Sequence, residues 1–363
     1  MKNWISVLFV LMAMTVVLSG CKEEKKRGSA VAASNVKNVK LTFLNAPKSK
    51  ITYGDTLKVQ LDFDDESPAH EVVIKTDRGS VPFQQIDSLV YTVPTVLMGG
   101  GYHGVRAEII LADSTAIRGS SSLRVLLPEA PSEWGYRSIE TFPHDRQAYT
   151  QGLIYHDGTL FESTGRYGKS DIRQVNLQTG EVIQKNNIEE DFFAEGLAVY
   201  KNMLYQLTWR ENTVLVHDLE TLKRENSFNF SLGNGEGWGL CFNGEHFIFS
   251  DGSADIIFVD PENWTEERRI RVFDHQGDVR SLNELEFVGG KIYANMLNDS
   301  RIAVIDPKTG AITSYWNLEG LLDSQPNVGR VDVMNGIAYR TDRSTFLVTG
   351  KLWPYLFEVA PVY

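Results

Sequence analysis

The feature that most constrains this chain is a five-fold repeat. Tyr149-Thr150-Gln151-Gly152-Leu153 returns as Phe193-Ala194-Glu195-Gly196-Leu197, then Gly237-Trp238-Gly239-Leu240, Leu282-Asn283-Glu284-Leu285 and Met334-Asn335-Gly336-Ile337. Aligned on the apolar residue that follows (Leu153, Leu197, Leu240, Leu285, Ile337), the copies lie 44, 43, 45 and 52 residues apart. Each copy opens a strand pattern, and two further alternating runs follow, as in Met203-Leu204-Tyr205-Gln206-Leu207 and Thr213-Val214-Leu215-Val216-His217-Asp218. An Asp-led turn comes next (Asp260-Pro261, Asp306-Pro307), then an outer strand. Four strands in about 45 residues is the size of a β-propeller blade. The fifth unit holds three strands, and Tyr136-Arg137-Ser138-Ile139-Glu140-Thr141 ahead of the first can supply its fourth, closing the ring and removing exposed edges. The expectation is an all-β chain with a five-bladed propeller over residues 135–363.

Ahead of it, residues 38–128 carry short period-two runs such as Leu57-Lys58-Val59-Gln60-Leu61 and Gly104-Val105-Arg106-Ala107-Glu108-Ile109-Ile110, separated by turn residues. That pattern predicts a small Ig-like β-sandwich. Asp62, Asp64, Asp65 and Glu66 lack the Gly and distal Glu of an EF-hand loop and read as a solvated acidic turn. Leu127-Pro128-Glu129-Ala130-Pro131 is a stiff boundary.

Residues 1–20 read as a signal peptide: Lys2, an apolar run from Ile5 to Leu18, and the lipobox-like Leu18-Ser19-Gly20-Cys21. The expectation is lipidation at Cys21, a tether over 21–37, and an acyl anchor in the bacterial cell envelope, on a periplasm-facing outer membrane or the cell surface. Lys22-Glu23-Glu24 resembles the charged tag of some surface-exported lipoproteins. Cys241 is then the remaining cysteine, so no intrachain disulfide is possible, and its place in a strand reads as a buried thiol. A formal charge of -11 argues against nucleic acid as a partner. A monomer is expected.

In a propeller the first strand of each blade lines the axis. The residue before the repeat glycine therefore converges on one mouth, which brings Gln151, Glu195, Trp238, Asn283 and Asn335 into a ring. Fourteen residues onward the second strand returns to the same face at Gly165, Trp209, Gly252 and Leu297, and the longer fifth hairpin offers Lys351. A carboxylate in such an aromatic setting needs a partner or a raised pKa, and both are typical of a functional group.

The repeat region resembles the plant-type glutaminyl cyclases (glutaminyl-peptide cyclotransferases), which also occur in bacteria. The resemblance is carried by the Gln151, Glu195 and Asn283 segments, Gly235-Glu236-Gly237-Trp238-Gly239-Leu240, Tyr293-Ala294-Asn295, Asn335-Gly336-Ile337-Ala338 and Thr349-Gly350-Lys351-Leu352-Trp353-Pro354. It implies a five-bladed propeller that converts N-terminal Gln to pyroglutamate with loss of ammonia, acting on peptides or proteins as an aminoacyltransferase. Glu195 matches the family's essential acid. Tyr149, Gln151, Trp209, Trp238, Asn283 and Lys351 match its pocket residues. Tyr149 stands where Phe is usual, and Leu297 where a third Trp is common.

The chemistry is consistent with these side chains. Nucleophile and electrophile are tethered in one residue, so catalysis needs folding of the Gln, oxyanion stabilisation and proton transfer. Two indoles can clamp the aliphatic chain, Gln151, Asn283 and Lys351 can donate to an oxygen, and Glu195 can shuttle the proton. No cofactor is required, and the seven His residues show no HxH or HExxH spacing. A structural cation in the propeller channel is compatible with the fold. The alternatives are a non-catalytic surface propeller that binds peptide or glycan, and a calcium-dependent lactonase type, for which the ring offers too few carboxylates.

Overall fold

Runs of alternating apolar residues punctuated by Asx turns leave the chain few options besides antiparallel sheets, and the structure is all-β. The computed structural model describes residues 39–63 and 69–363. Cys21, the 1–20 and 21–37 assignments, and Asp64, Asp65 and Glu66 lie outside the described residues.

The N-terminal strands form two sheets. One orders Lys40–Phe43, Thr56–Asp62, Val90–Pro94 and Gln84–Asp87. The other orders Lys50–Thr52, Ala116–Leu126, Gly101–Leu111, Ala69–Thr76 and Gly79–Ser80. Their alternating inward residues, among them Leu57, Val59, Leu61, Ile74, Ile109 and Leu123, share one apolar core. This region docks on the later sheets through polar contacts: Tyr102 N–H donates to Asp278 Oδ1 at 2.7 Å, and Arg271 Nη1 donates to Tyr102 O at 2.8 Å.

Five sheets of four strands follow. Their innermost strands are Thr150–His156, Ala194–Tyr200, Leu240–Phe242, Leu282–Val288 and Met334–Arg340. Each packs against the next, and the fifth packs against the first. The fourth strand of the last sheet comes from far upstream: Ser132–Pro143 runs antiparallel to Tyr355–Val362, pairing Gly135 with Val362 and Pro143 with Tyr355. The start of that strand also pairs in parallel with Ser314–Trp316, which joins the fourth and fifth sheets edge to edge. The turns are those the sequence encodes. Asp260 Oδ1 accepts the N–H groups of Glu262 and Asn263, and Asp306 Oδ1 accepts those of Lys308 and Thr309.

Every pair of facing sheets encloses its own apolar layer. Phe161, Leu197 and Leu204 lie between the first and second sheets, and Phe247, Phe249 and Trp264 between the second and third. Ile248, Phe258 and Leu285 follow, then Trp316, Phe346 and Phe357, and Phe142, Leu153 and Leu347 close the circuit. Each such large side chain contributes about 1.5–3 kcal/mol on burial, so stability is distributed around the ring. At the repeat glycines of the first two sheets the neighbouring backbone leaves no room for a side chain. A Cβ on Gly196 would lie 2.5 Å from Leu240 N, and one on Gly152 would lie 2.7 Å from Leu197 N. That close approach is the physical reason for the repeat glycine.

Candidate active site

Four of the five inner strands carry a register shift at the same place: between Thr150 and Gly152, Ala194 and Leu197, Leu282 and Leu285, and Met334 and Ile337. A β-bulge re-aims the side chain it interrupts, and here the interrupted residues include Gln151, Glu195 and Asn283. In the third sheet Trp238 precedes the strand, held by its N–H to Ser250 O at 3.0 Å. Serines on second strands fix the next sheet. Ser163 Oγ donates to Glu195 O at 2.6 Å, and Ser250 Oγ donates to Asn283 O at 2.8 Å. Behind Ser163 stand Gln206, whose Nε2 donates to it at 2.8 Å, and His217, 3.1 Å from Gln206 Oε1. Burial pushes the His217 pKa down to about 4, so this support stays neutral.

The result is a cavity of about 280 Å³ lined by Tyr149, Gln151, Phe193, Glu195, Trp209, Trp238, Asn283, Leu297 and Lys351. All seven residues singled out as catalytic or substrate-binding from the sequence, Glu195 among them, meet here. Larger clefts exist, including one of about 810 Å³ beside the first sheet lined by residues such as Arg166, Lys169 and Arg173. Another, of about 550 Å³, holds Asp274 beside Tyr102 and Tyr315, but neither cleft has an indole in its walls, so chemistry rather than size singles out the small cavity. Its volume is near the lower end for ligand pockets, about 300 Å³, which suits one amino-acid side chain.

The ring is not five-sided at the cavity. Asn335 is fully buried behind the wall, where its Nδ2 donates to Thr150 O at 3.0 Å and to Gln151 Oε1 at 3.1 Å. Gln151 Nε2 in turn donates to Glu195 Oε1 at 2.9 Å. Gln151 was expected to offer a donor to a substrate oxygen; in the structure that amide holds Glu195. Of the second ring, Gly165 and Gly252 contribute space. A Cβ on Gly165 would collide with the Phe193 ring.

Glu195 is the buried acid of the cavity. One oxygen is held by Gln151, and Oε2 has no donor among the described residues. Burial raises its pKa well above the ordinary carboxyl range; the Lys351 cation opposes this, and the charges of Glu236 and Glu211 add to it. Lys351 is itself buried. Burial lowers its pKa, against the attraction of Glu195 and Asp332. Its Nζ lies 5.0 Å from the centroid of the Tyr149 ring, and among the described residues no carboxylate is within ion-pair distance. Asn283 Oδ1 is buried without a donor.

The aromatic wall is braced. Phe193 meets Trp209 edge to face at 5.5 Å, and Tyr149 OH donates to Asp332 Oδ2 at 3.3 Å. Phe193 was not singled out from the sequence, although it occupies the same repeat position as Tyr149. Glu236 was also passed over: its Oε2 accepts from Trp209 Nε1 at 2.9 Å and from Trp238 Nε1 at 3.0 Å. Cys241 is buried, and burial, then Glu286 and Glu284, push its thiol pKa well up, as an inert thiol requires. Among the described residues no three His, Cys, Asp or Glu side chains cluster as metal ligands.

The structure is thus an all-β ring with a buried, half-bonded carboxylate, a buried lysine and two tethered indoles at its mouth. The sequence model of the glutamine cyclotransferase family matches residues 107–360, and the chain belongs to that family. It is 38% identical over 224 residues to a glutaminyl-peptide cyclotransferase of Arabidopsis thaliana, covering 61% of this chain and 69% of the relative. It is similar to the crystal structure of Myxococcus xanthus glutaminyl cyclase, with 34% identity and a TM-score of 0.58 over 64% of this chain and 98% of that one.

Proposed function

We propose that this protein is a glutaminyl-peptide cyclotransferase that converts the N-terminal Gln of peptides or proteins to pyroglutamate and ammonia. The observation that carries the reading is Glu195: buried, one oxygen fixed by Gln151, the other facing a cavity walled by indoles. The substrate's α-amine attacks its own γ-amide carbon, a C–N bond forms, and the carbonyl oxygen takes the charge of a tetrahedral intermediate. Glu195 takes the proton of the attacking nitrogen and delivers it to the departing one, the original C–N bond breaks, and NH3 leaves. A raised pKa suits a group that must both accept and return a proton near neutrality. Lys351 and the Asn283 amide are the donors placed to stabilise the oxyanion. Trp209 and Trp238 hold the aliphatic chain in the folded shape. Every step uses this chain's own residues, and the reading needs no metal or cofactor.

The same proposal includes the architecture around the site. The five sheets are read as blades of a five-bladed β-propeller spanning 135–363, and the two N-terminal sheets as an Ig-like sandwich over 38–128. A monomer anchored through lipidated Cys21 in the bacterial cell envelope, on a periplasm-facing outer membrane or the cell surface, with no nucleic-acid partner, completes it.

The test is ammonia release from a Gln-initiated peptide in the presence of chelator. The wild type is expected to release ammonia, and Glu195→Gln to be slower by about 10²–10⁴-fold, the usual worth of general acid–base catalysis. Absence of release from the wild type, or equal release from the variant, overturns the assignment.

A further inference from the structure

Glu236 does not line the cavity, yet it touches two side chains that do. Its Oε2 accepts from the indole N–H of both Trp209 and Trp238, at 2.9 and 3.0 Å. Its Oε1 accepts from Arg210 Nε at 3.1 Å, and the Arg210 guanidinium lies 3.7 Å from the Trp209 ring centroid. The loop carrying Glu236 is itself fixed: Asn234 Oδ1 accepts the Glu236 N–H at 3.1 Å, and Asn234 is anchored to Asp251 through its own N–H and Nδ2. Two indoles on different sheets therefore converge on one oxygen. We propose that Glu236 is the positioning residue of the cavity's two-indole wall, setting the spacing of Trp209 and Trp238 and hence affinity for the substrate's aliphatic chain. The inference rests on the cyclotransferase reading for its substrate.

The physical case is that an indole has one donor and no acceptor, so its rotation about the side-chain bonds is fixed only by packing and by where that donor points. A shared acceptor couples the two rotations. Charged acceptors make the stronger hydrogen bonds, and Glu236 stays charged: burial would raise its pKa, but the bonds from Trp238, Trp209 and Arg210 bring it below the ordinary value. A second consequence follows from that charge. The ionisable groups facing Glu195 are Lys351, which favours its ionised form, and Glu236 and Glu211, which oppose it; Tyr149 and Tyr167 also feel Glu195. Removing the Glu236 charge should let Glu195 ionise at lower pH.

Two full-chain variants separate the roles. Glu236→Ala removes the acceptor; Glu236→Gln keeps a carbonyl for the indoles but removes the charge. In Glu236→Ala, KM should rise by about tenfold or more, the worth of a charged hydrogen bond, with kcat changed less, and the near-ultraviolet circular dichroism of the indoles should alter without substrate. In Glu236→Gln the KM and dichroism should return towards wild type, while the acid limb of kcat/KM moves to lower pH. Wild-type KM and dichroism in Glu236→Ala overturn the proposal, as does a Glu236→Gln variant that matches Glu236→Ala in KM with an unmoved acid limb. A wild type that releases no ammonia would overturn the cyclotransferase reading, whereas the dichroism comparison tests the indole coupling without turnover.

Discussion

Two carboxylates at neighbouring positions of the repeat are both hidden from solvent, and they do different things. Glu195 occupies the position before the repeat glycine in the second unit, and Glu284 replaces that glycine in the fourth. They are 5% and 0% exposed. Burial raises both pKa values well above the ordinary range; for Glu284 the charge of Glu286 adds to it, and the N–H groups of Ile337 and Leu153 oppose it. The difference is in the bonding. Glu284 Oε1 accepts from Leu153 N at 3.2 Å and Oε2 from Ile337 N at 2.8 Å, so its carboxyl ties the fourth sheet to the first and fifth near the axis. Glu195 has one oxygen held by a side-chain amide and one left for the cavity. Burial and a raised pKa therefore do not distinguish a catalyst from a structural tie. The unbonded oxygen does.

The largest test of this contrast is Glu284→Gly, which restores the residue that the other four units share. By sequence average the change should be favourable. By the structure it leaves the Leu153 and Ile337 N–H groups buried without acceptors, at about 1–3 kcal/mol each, and opens a void. A loss of about 2–5 kcal/mol in urea unfolding is expected, with ammonia release per folded molecule near wild type. A variant of unchanged stability, or a stable one without activity, would collapse the distinction between the two carboxylates.

The same pair marks where the sequence was legible. Strand spacing, Asx turns and the converging lead positions follow from local chemistry, so the all-β fold and the lead-position ring could be read from periodicity, while the choice of the seven cavity residues came with the family resemblance. Two kinds of information could not. Whether an amide faces the substrate or a neighbour depends on geometry between sheets, which is how Gln151 became a holder of Glu195 and Asn335 dropped behind the wall. Residues that act through others leave no periodic signal. Glu236 stands at the repeat position of Tyr149 and Phe193, where a carboxylate does not announce two indole partners, and Glu284 looked like a broken glycine rather than a three-sheet tie. Phe193 is the exception, because at that same position it keeps the aromatic character of Tyr149.

A middle-sized effect is expected from Lys351→Met, which changes the charge on one side of the contrast only. The Lys351 cation favours ionised Glu195. Without it Glu195 holds its proton to higher pH, and because in the proposed mechanism kcat/KM rises as Glu195 ionises, the acid limb should move up in pH. This is opposite in sign to the shift expected for Glu236→Gln. Loss of the proposed oxyanion donor should also lower kcat by about 10²-fold. By linkage the same shift should appear in urea unfolding as stability that falls with rising pH over a wider range, because folded Glu195 then keeps its proton to higher pH than unfolded Glu195 does. An acid limb that stays in place would mean that a group other than Glu195 sets it.

The smallest effect should come from Gly252→Ala, which alters neither carboxylate. Gly252 has φ +75, and an added Cβ would lie 2.7 Å from Trp238 Cη2 and Cζ2. An L-residue there costs about 1–2 kcal/mol of backbone strain, and the indole must move because ring atoms that close cannot remain. Trp238 would then be pulled from its bond to Glu236 or pushed into the cavity. KM should rise a few-fold, on the order of 1 kcal/mol, with the acid limb of kcat/KM where the wild type has it. Steady-state kinetics across pH, paired with urea unfolding, read all three quantities. If Gly252→Ala shifts the acid limb as far as Lys351→Met does, the indole wall and the proton chemistry of Glu195 are one coupled unit, and the carboxylate's open oxygen is not sufficient to explain its role.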